Sequence, residues 1–364
     1  MRIKSLLICF IILLISIQLH AQKEFGNSIK GKIVDNATNK PLEGIHVFLS
    51  QTEYFAKTDA EGNYEIKNIV PGSYQYVAAA KNYEPIISNM YIEKGNTYPT
   101  NGAMIPFSPE KIAQFGAPKG SNFESDYMKF ERHFIGQTAY MGSCKVENQD
   151  GMNFSWSGDV IEGSSNGIIT YNHSKFGYKL HCIVFGFKYD TKQLTRGMDY
   201  ALYFEEMKPK DDDEKETWED YRKESYEGSL NHFLWAFRND RLEKEDYEVY
   251  TLRSLGPAAM MSDGMDEASN ADSQFQNRIW KFEEVSLGQV DGTQMMFTIN
   301  GFLKVVFKPR SYSRTTSFLQ VNTQGTLTLD QEGFTDVDMP FTCFGFWGKN
   351  GISNMIPKEY RAKL

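Results

Sequence analysis

From Ser28 to Ser108 the chain runs in short alternating segments, each closed by a turn residue, and this rhythm constrains the fold more than anything else in the sequence. "IKGKIVD" enters a polar loop, "NATNKPLEG", that closes on Pro41 and Gly44. In "IHVFLS", Ile45, Val47 and Leu49 fall on one face of a strand, with His46 and Phe48 on the other, because strand side chains alternate. "NYEIKNI" sets Tyr64 and Ile66 against Glu65 and Lys67 in the same way. Gly62, after Ala60-Glu61, stands where a tight hairpin needs positive φ, and Pro71-Gly72 fixes a second reversal. Six or seven strands at intervals of about 10 residues predict an all-β sandwich.

Two longer stretches, "GKIVDNATNKPLEGIHVFL" and "KTDAEGNYEIKNIVPGSYQYVAAAKNYEP", carry a family resemblance. With the strands that follow, residues 28–108 resemble the carboxypeptidase regulatory-like domain, a transthyretin-like β-sandwich. The resemblance implies an accessory module. In secreted bacterial proteins such modules accompany peptidases, outer-membrane receptors or segments of undefined role.

The opening "MRIKSLLICFIILLISIQLHAQ" reads as a signal peptide over residues 1–21. Arg2 and Lys4 precede an apolar run, and Ala21 suits cleavage. That run is shorter than the ~20 residues that span a bilayer. Cys9 follows Ile8 rather than a small residue, which disfavours lipid modification. Nothing later in the chain is apolar enough to cross a membrane. The expectation is an exported protein, in the periplasm or associated with the outer membrane. Losing Arg2 and Lys4 takes the formal charge of −8 further negative, so the electrostatic footing for nucleic acid is missing. The mature cysteines, Cys144, Cys182 and Cys343, are odd in number, widely spaced and outside any CxxC. They predict small buried side chains with at most one pair bridged.

Beyond Pro109 the pattern becomes a mainly antiparallel α+β domain. Residues 109–253 form its first part, 254–276 a flexible excursion bearing Met260, Met261 and Met265, and 277–364 its strand-rich last part. Phe123, Tyr127, Phe130 and Phe134 recur at helical spacing, behind a capping box of Ser121 and Glu124. Two more helices are predicted, from Glu216 to Glu227 and from Leu230 to Arg241, the second capped by Ser229. Asn300-Gly301 and Gln324-Gly325 predict hairpins. "FERHFIGQT", "YEGSLNHFLWAFRNDRLEKEDYEVY" and "GFWGKNGISNMIPKEY" resemble the segment that follows the sandwich in a group of secreted Bacteroidetes-type proteins. Phe176-Gly177-Tyr178 stands for that group's Leu-Gly-Tyr, and Trp235 for its basic residue. The group is named for its regulatory-like domain alone, so the resemblance implies a location and no reaction.

A zinc carboxypeptidase site needs His and Glu three apart plus a distant His. Three residues after His46, His133, His173, His181 and His232 stand Leu49, Gly136, Phe176, Val184 and Trp235, so that centre is absent from the sequence. "GSSNG", Gly163 to Gly167, has the form of a nucleophile elbow but is followed by a strand-like run, which predicts a hairpin loop. His173 and His181-Cys182 fit no common zinc spacing, and His181 is expected on a half-exposed strand face. Asp59, Glu61 and Asn63 read as a turn rather than a calcium loop, and Asp211 to Glu214 as a solvated charge run or helix start. Trp218, Trp235, Trp280 and Trp347 read as core before stacking platforms. No metal or cofactor is expected. His232 is the one candidate base, with acids such as Glu227 nearby. Phe346 and Trp347 in "GFWGKNG" form either a docked final turn or a candidate binding surface. The expected function is non-catalytic binding or assembly in the cell envelope, with a protein or glycan as ligand. The alternatives are a partner of a TonB-linked outer-membrane receptor and a hydrolase centred on His232.

Overall fold

The computed structural model describes residues 25–116, 119–193, 195–252, 275–279, 285–290, 293–299, 301–309, 313–322, 325–335 and 341–363. The signal peptide, most of the 254–276 excursion with its three methionines, and Trp280 lie outside the described residues.

Eight strands build the N-terminal part: β1 (Ser28–Asp35), β2 (His46–Leu49), β3 (Phe55–Lys57), β4 (Asn63–Lys67), β5 (Gly72–Ala79), β6 (Ile86–Ile92), β7 (Thr97–Pro99) and β8 (Gly102–Met104). They form a sandwich. One sheet runs β4-β1-β7 with β8 also on β1, and the other runs β3-β2-β5-β6. Ile29, Ile33, Val47, Leu49 and Tyr76 fill the space between the sheets. Gly62 has φ 78° as its turn requires, and a Cβ there would stand 2.5 Å from the Ile33 carbonyl oxygen. The turn nevertheless joins β3 and β4, which lie in opposite sheets, so it is a crossover and not a hairpin.

The middle of the chain holds helices α1 (Pro109–Gly116) and α2 (Phe123–Ile135). A six-stranded sheet follows: β9 (Cys144–Val146), β10 (Met152–Ser157), β11 (Val160–Ser165), β12 (Ile169–His173), β13 (Tyr178–Asp190) and β14 (Thr195–Glu206). β13 pairs antiparallel with β11, β12 and β14. The aromatic stripe of α2 packs on this sheet, with Phe130 edge-on to Phe187 at 5.2 Å. Ser121 does not cap α2. Its N-cap is Asn122, with no side-chain capping bond, and the Glu124 carboxylate instead accepts from Gln149 Nε2 at 3.2 Å.

Helix α3 (Asp212–Tyr226) begins earlier than the aromatic spacing suggested, because Asp211 caps it by accepting from Glu214 N. Helix α4 (Leu230–Arg238) is capped by Ser229 as expected and stops at Asn239. Strands β15 (Tyr247–Leu252), β16 (Phe275–Ile279), β17 (Ser286–Gln289), β18 (Met295–Thr298), β19 (Phe302–Phe307), β20 (Thr315–Val321), β21 (Thr326–Leu329) and β22 (Phe341–Gly345) follow along the chain, and α4 shares a core with β15, β18, β19, β20 and β21. The larger sheet runs β16-β15-β19-β20-β22 and the smaller β17-β18-β21. β18 and β19 therefore sit in different sheets, as do β20 and β21, so neither expected hairpin forms. Gly301 and Gly325 keep positive φ. All six residues of β19 are buried, and it pairs with β15 on one edge and β20 on the other, which leaves none of its backbone for β18.

The outer face of β2 and β5 is not left to solvent. Phe48, Val77 and Ala79 pack on Ile183, Ala201 and Tyr203 of β13 and β14. Phe55 stacks on Tyr203 at 4.4 Å, and His46 Nδ1 pairs with the Tyr203 hydroxyl at 2.8 Å. The β2–β3 turn extends the contact, since Gln51 N donates to the Leu202 carbonyl and Phe204 N to the Thr52 carbonyl.

Residues 349–361 then run across all three parts. Gln137 N donates to the Lys349 carbonyl, and Ser353 Oγ to the Ile135 carbonyl at 2.7 Å. Ser225 Oγ of α3 donates to the Asn354 carbonyl. Lys358 donates through its backbone to the Gln51 carbonyl and through Nζ to the Ser73 carbonyl, with its ammonium over the Tyr74 and Phe334 rings. Glu359 is fully buried and accepts from Glu53 N. Arg361 lies 3.3 Å over the Trp235 ring. Gly136 and Gly351 make the crossing possible, because a Cβ on Gly351 would stand 2.4 Å from the Phe134 carbonyl oxygen.

Replacing Tyr203 by Ala removes the ring on which the sandwich docks and is expected to cost about 3–5 kcal/mol in denaturant unfolding. Tyr203→Phe, which loses only the bond to His46, is expected to cost about 1 kcal/mol.

Candidate functional site

A cavity of about 380 Å³ opens where the three parts meet, within the range of about 300–1,000 Å³ common to small-molecule sites. The sandwich contributes Ser50 and Gln51 from the β2–β3 turn, Tyr74 and Gln75 from β5, and Asn89 from β6. The middle sheet contributes Tyr200 of β14. The first turn of α4 supplies Ser229, Leu230 and Asn231, and its next turn Leu234. Phe341, Trp347, Asn350, Asn354 and Lys358 close the far wall.

Two features of the wall stand out chemically. No described lining residue is a carboxylate, although the chain carries 47 acidic residues. The side chains of Gln51, Asn231 and Asn350 make no hydrogen bond to another described group, so their donors and acceptors are free for a ligand. Gln51 also holds φ 64°, in the left-handed region that non-glycine residues seldom adopt. Its backbone is pinned there from both sides, N–H to Leu202 and carbonyl to Lys358.

His232, the candidate base, is near this cleft but does not line it. It is buried, and both ring nitrogens are engaged. Nδ1 accepts from Gly228 N and from the Tyr247 hydroxyl, each at 3.1 Å, and Nε2 donates to Glu245 Oε2 at 3.2 Å. Burial lowers its pKa, opposed by Glu245. The carboxylate beside it is Glu245, not the Glu227 suggested by sequence proximity. Burial pushes the Glu245 carboxyl up, but hydrogen bonds from Arg241 and His232 outweigh it and leave the pKa lowered.

Trp347 is buried, packs on Phe233 and donates Nε1 to the Gly228 carbonyl at 2.8 Å, while the adjacent Phe346 is 38% exposed. His173 is wholly buried, accepts from Phe176 N through Nδ1 and donates through Nε2 to the Ser353 carbonyl. Burial lowers its pKa to about 4. His181, expected half-exposed, is covered by the docked sandwich and stacks on Tyr203 at 4.6 Å, with Nε2 on Glu205. The serines of "GSSNG" end strand β11 rather than occupying a loop, and Ser165 Oγ is spent on the Gly167 carbonyl. Asp59 Oδ1 accepts from Glu61 N and Asn63 N, which makes that segment a turn. Cys144, Cys182 and Cys343 are all unbridged. Among the described residues no group of three or more His, Cys, Asp or Glu could hold a metal.

The architecture is that of a β-sandwich module fastened to antiparallel sheet units around a three-walled cleft. Residues 28–104 match the carboxypeptidase regulatory-like domain. No curated protein matches the chain. Among solved structures, a type II cohesin-X-dockerin complex from Acetivibrio cellulolyticus is similar at 18% identity, over 31% of this chain and 77% of that one, with a TM-score of 0.20. A DUF3823 family protein from Bacteroides ovatus aligns over 84% of this chain and 98% of its own at 10% identity and a TM-score of 0.18. One from Bacteroides uniformis gives 83%, 98%, 11% and 0.17 for the same quantities. Scores of this size do not define a shared whole-chain fold.

His232→Ala strands Gly228 N, the Tyr247 hydroxyl and Glu245, and is expected to lower unfolding free energy by about 2–3 kcal/mol, read from urea melts. His173 titrates at 6.5 when unfolded and near 4 when folded. The unfolded state therefore takes up its proton first, and this site loses stability as pH falls from 6.5 to 4. The stability gap between the wild type and His173→Gln is expected to narrow over that window.

Proposed function

We propose that the protein is a non-catalytic binding component of the cell envelope, exported by its N-terminal segment, that takes its ligand in the cleft between the sandwich and the two sheet units. The observation that carries this reading is the convergence of uncommitted carboxamides from distant parts of the chain on one cavity, Gln51, Asn231 and Asn350. A cleft built from three parts is a usual place for a ligand. The sequence features that support export are the basic start, the apolar run and the small residue at Ala21. Among the described residues no helix is long and apolar enough to cross a membrane.

The surroundings of His232 support binding over hydrolysis. A general base must reach a substrate proton within about 2.6–3.2 Å, and this ring already spends both nitrogens on Gly228, Tyr247 and Glu245. The partner is an envelope component, with an outer-membrane receptor as one form it can take.

The test pairs turnover with retention. Purified protein is expected to cleave no member of a peptide or glycan panel, with or without added divalent metal, and to co-sediment with an isolated envelope fraction. Asn231→Trp, which fills the cleft from the first turn of α4, is expected to abolish that retention without unfolding the chain. Metal-dependent cleavage, or retention indifferent to the plug, would overturn the proposal.

A further inference from the structure

We infer that the cleft ligand is a neutral, polyhydroxylated small molecule or chain end, the chemistry of a neutral oligosaccharide terminus. The inference rests on the binding reading above and goes further by fixing the class of ligand from the wall.

Charge is the first discriminator. A site for an anion needs an uncommitted cation, yet the one basic residue among the described lining residues, Lys358, already donates Nζ to the Ser73 carbonyl and lies over the Tyr74 and Phe334 rings. A site for a cation needs a carboxylate, and none is among the described lining residues. Among the described lining residues, three carboxamides make no side-chain hydrogen bond to another described group: Gln51, Asn231 and Asn350. Each carries a two-proton donor beside a two-lone-pair acceptor. Hydroxyl groups, which both donate and accept, match that pairing.

Shape is the second. The cavity is compact and three-walled, and its free amides come from three separate segments: the β2–β3 turn, the start of α4 and the C-terminal crossing. An extended peptide bound by its backbone would instead run along an unpaired strand edge. Tyr200 and Phe341, both part-buried, add apolar ring surface to the wall, which suits the C–H face of a sugar ring.

Conformation is the third. Gln51 sits at φ 64° although glycine would occupy that backbone without strain. Such an outlier at a cavity wall is the kind of strain kept where a side chain is used.

Calorimetric titration with neutral oligosaccharides (maltohexaose, laminarihexaose, xylohexaose and chitohexaose) tests the inference, with polygalacturonate and a mixed hexapeptide library as competitors. At least one neutral sugar is expected to bind saturably, with affinity unchanged between low and high salt, since no ion pair forms. Gln51→Gly is expected to weaken binding about three- to tenfold while its melting temperature holds or rises. Asn231→Leu provides a second variant with the same expected loss. If no neutral sugar binds while retention on the envelope fraction still depends on the cleft, the ligand class is wrong and the binding role stands. Salt-sensitive binding of polygalacturonate, or cleft-dependent binding of the peptides, likewise overturns the ligand class. Loss of both sugar binding and cleft-dependent retention overturns the two together.

Discussion

Residues 349–361 make short hydrogen bonds to the sandwich, to α2 and to α3, and hold a buried carboxylate and a ring-shielded ammonium in place. Each partner group along that path is one that burial would penalise if left unpaired. The sandwich also meets the middle sheet through Phe48, Val77, Ala79, Ile183, Ala201 and Tyr203, and the crossing buries Ile352 and Ile356 in the middle core. Polar satisfaction and apolar burial along this crossing together fix how the parts sit. The cleft is a by-product of that geometry, since its far wall is the same segment.

The same segment supplies the one charged group among the described lining residues, Lys358. Lys358 is consumed in the structural task of reaching Ser73, and Glu359 is turned away to Glu53. The segment's carboxamides on the cavity wall are Asn350 and Asn354, beside Gly351, Met355, Ile356 and Lys358.

Local features were legible in the sequence. The alternation that puts Ile45, Val47 and Leu49 inside the sandwich is a property of three neighbouring residues, as is the cap at Ser229, whereas the cap at Asp211 lay in a run read as charged and solvated. Long-range pairing was not. Gly301 and Gly325 adopt the backbone their turns need, yet the strands beside them choose partners that bury both faces, which no dipeptide encodes. His181 looked half-exposed because its cover, the β2–β5 face, lies far away in the chain. Glu245 rather than Glu227 meets His232 because the chain turns at Gly228, with φ 79°, between Glu227 and the helix. The cleft left a faint trace: Trp347, Asn350 and Gly351 of "GFWGKNG" line it, and that motif was read as a candidate binding surface, but nothing in it pointed to Gln51 or Asn231. Gln51 carries no sequence signal at all, since its unusual φ is imposed by Leu202 and Lys358.

The crossing segment lies after every element it binds. Glu53, Ser73 and Ile135 meet partners that stand 306, 285 and 218 residues further along the chain, at Glu359, Lys358 and Ser353. Loops of that length carry a closure entropy that local contacts do not, and the hollow between the parts depends on their closing.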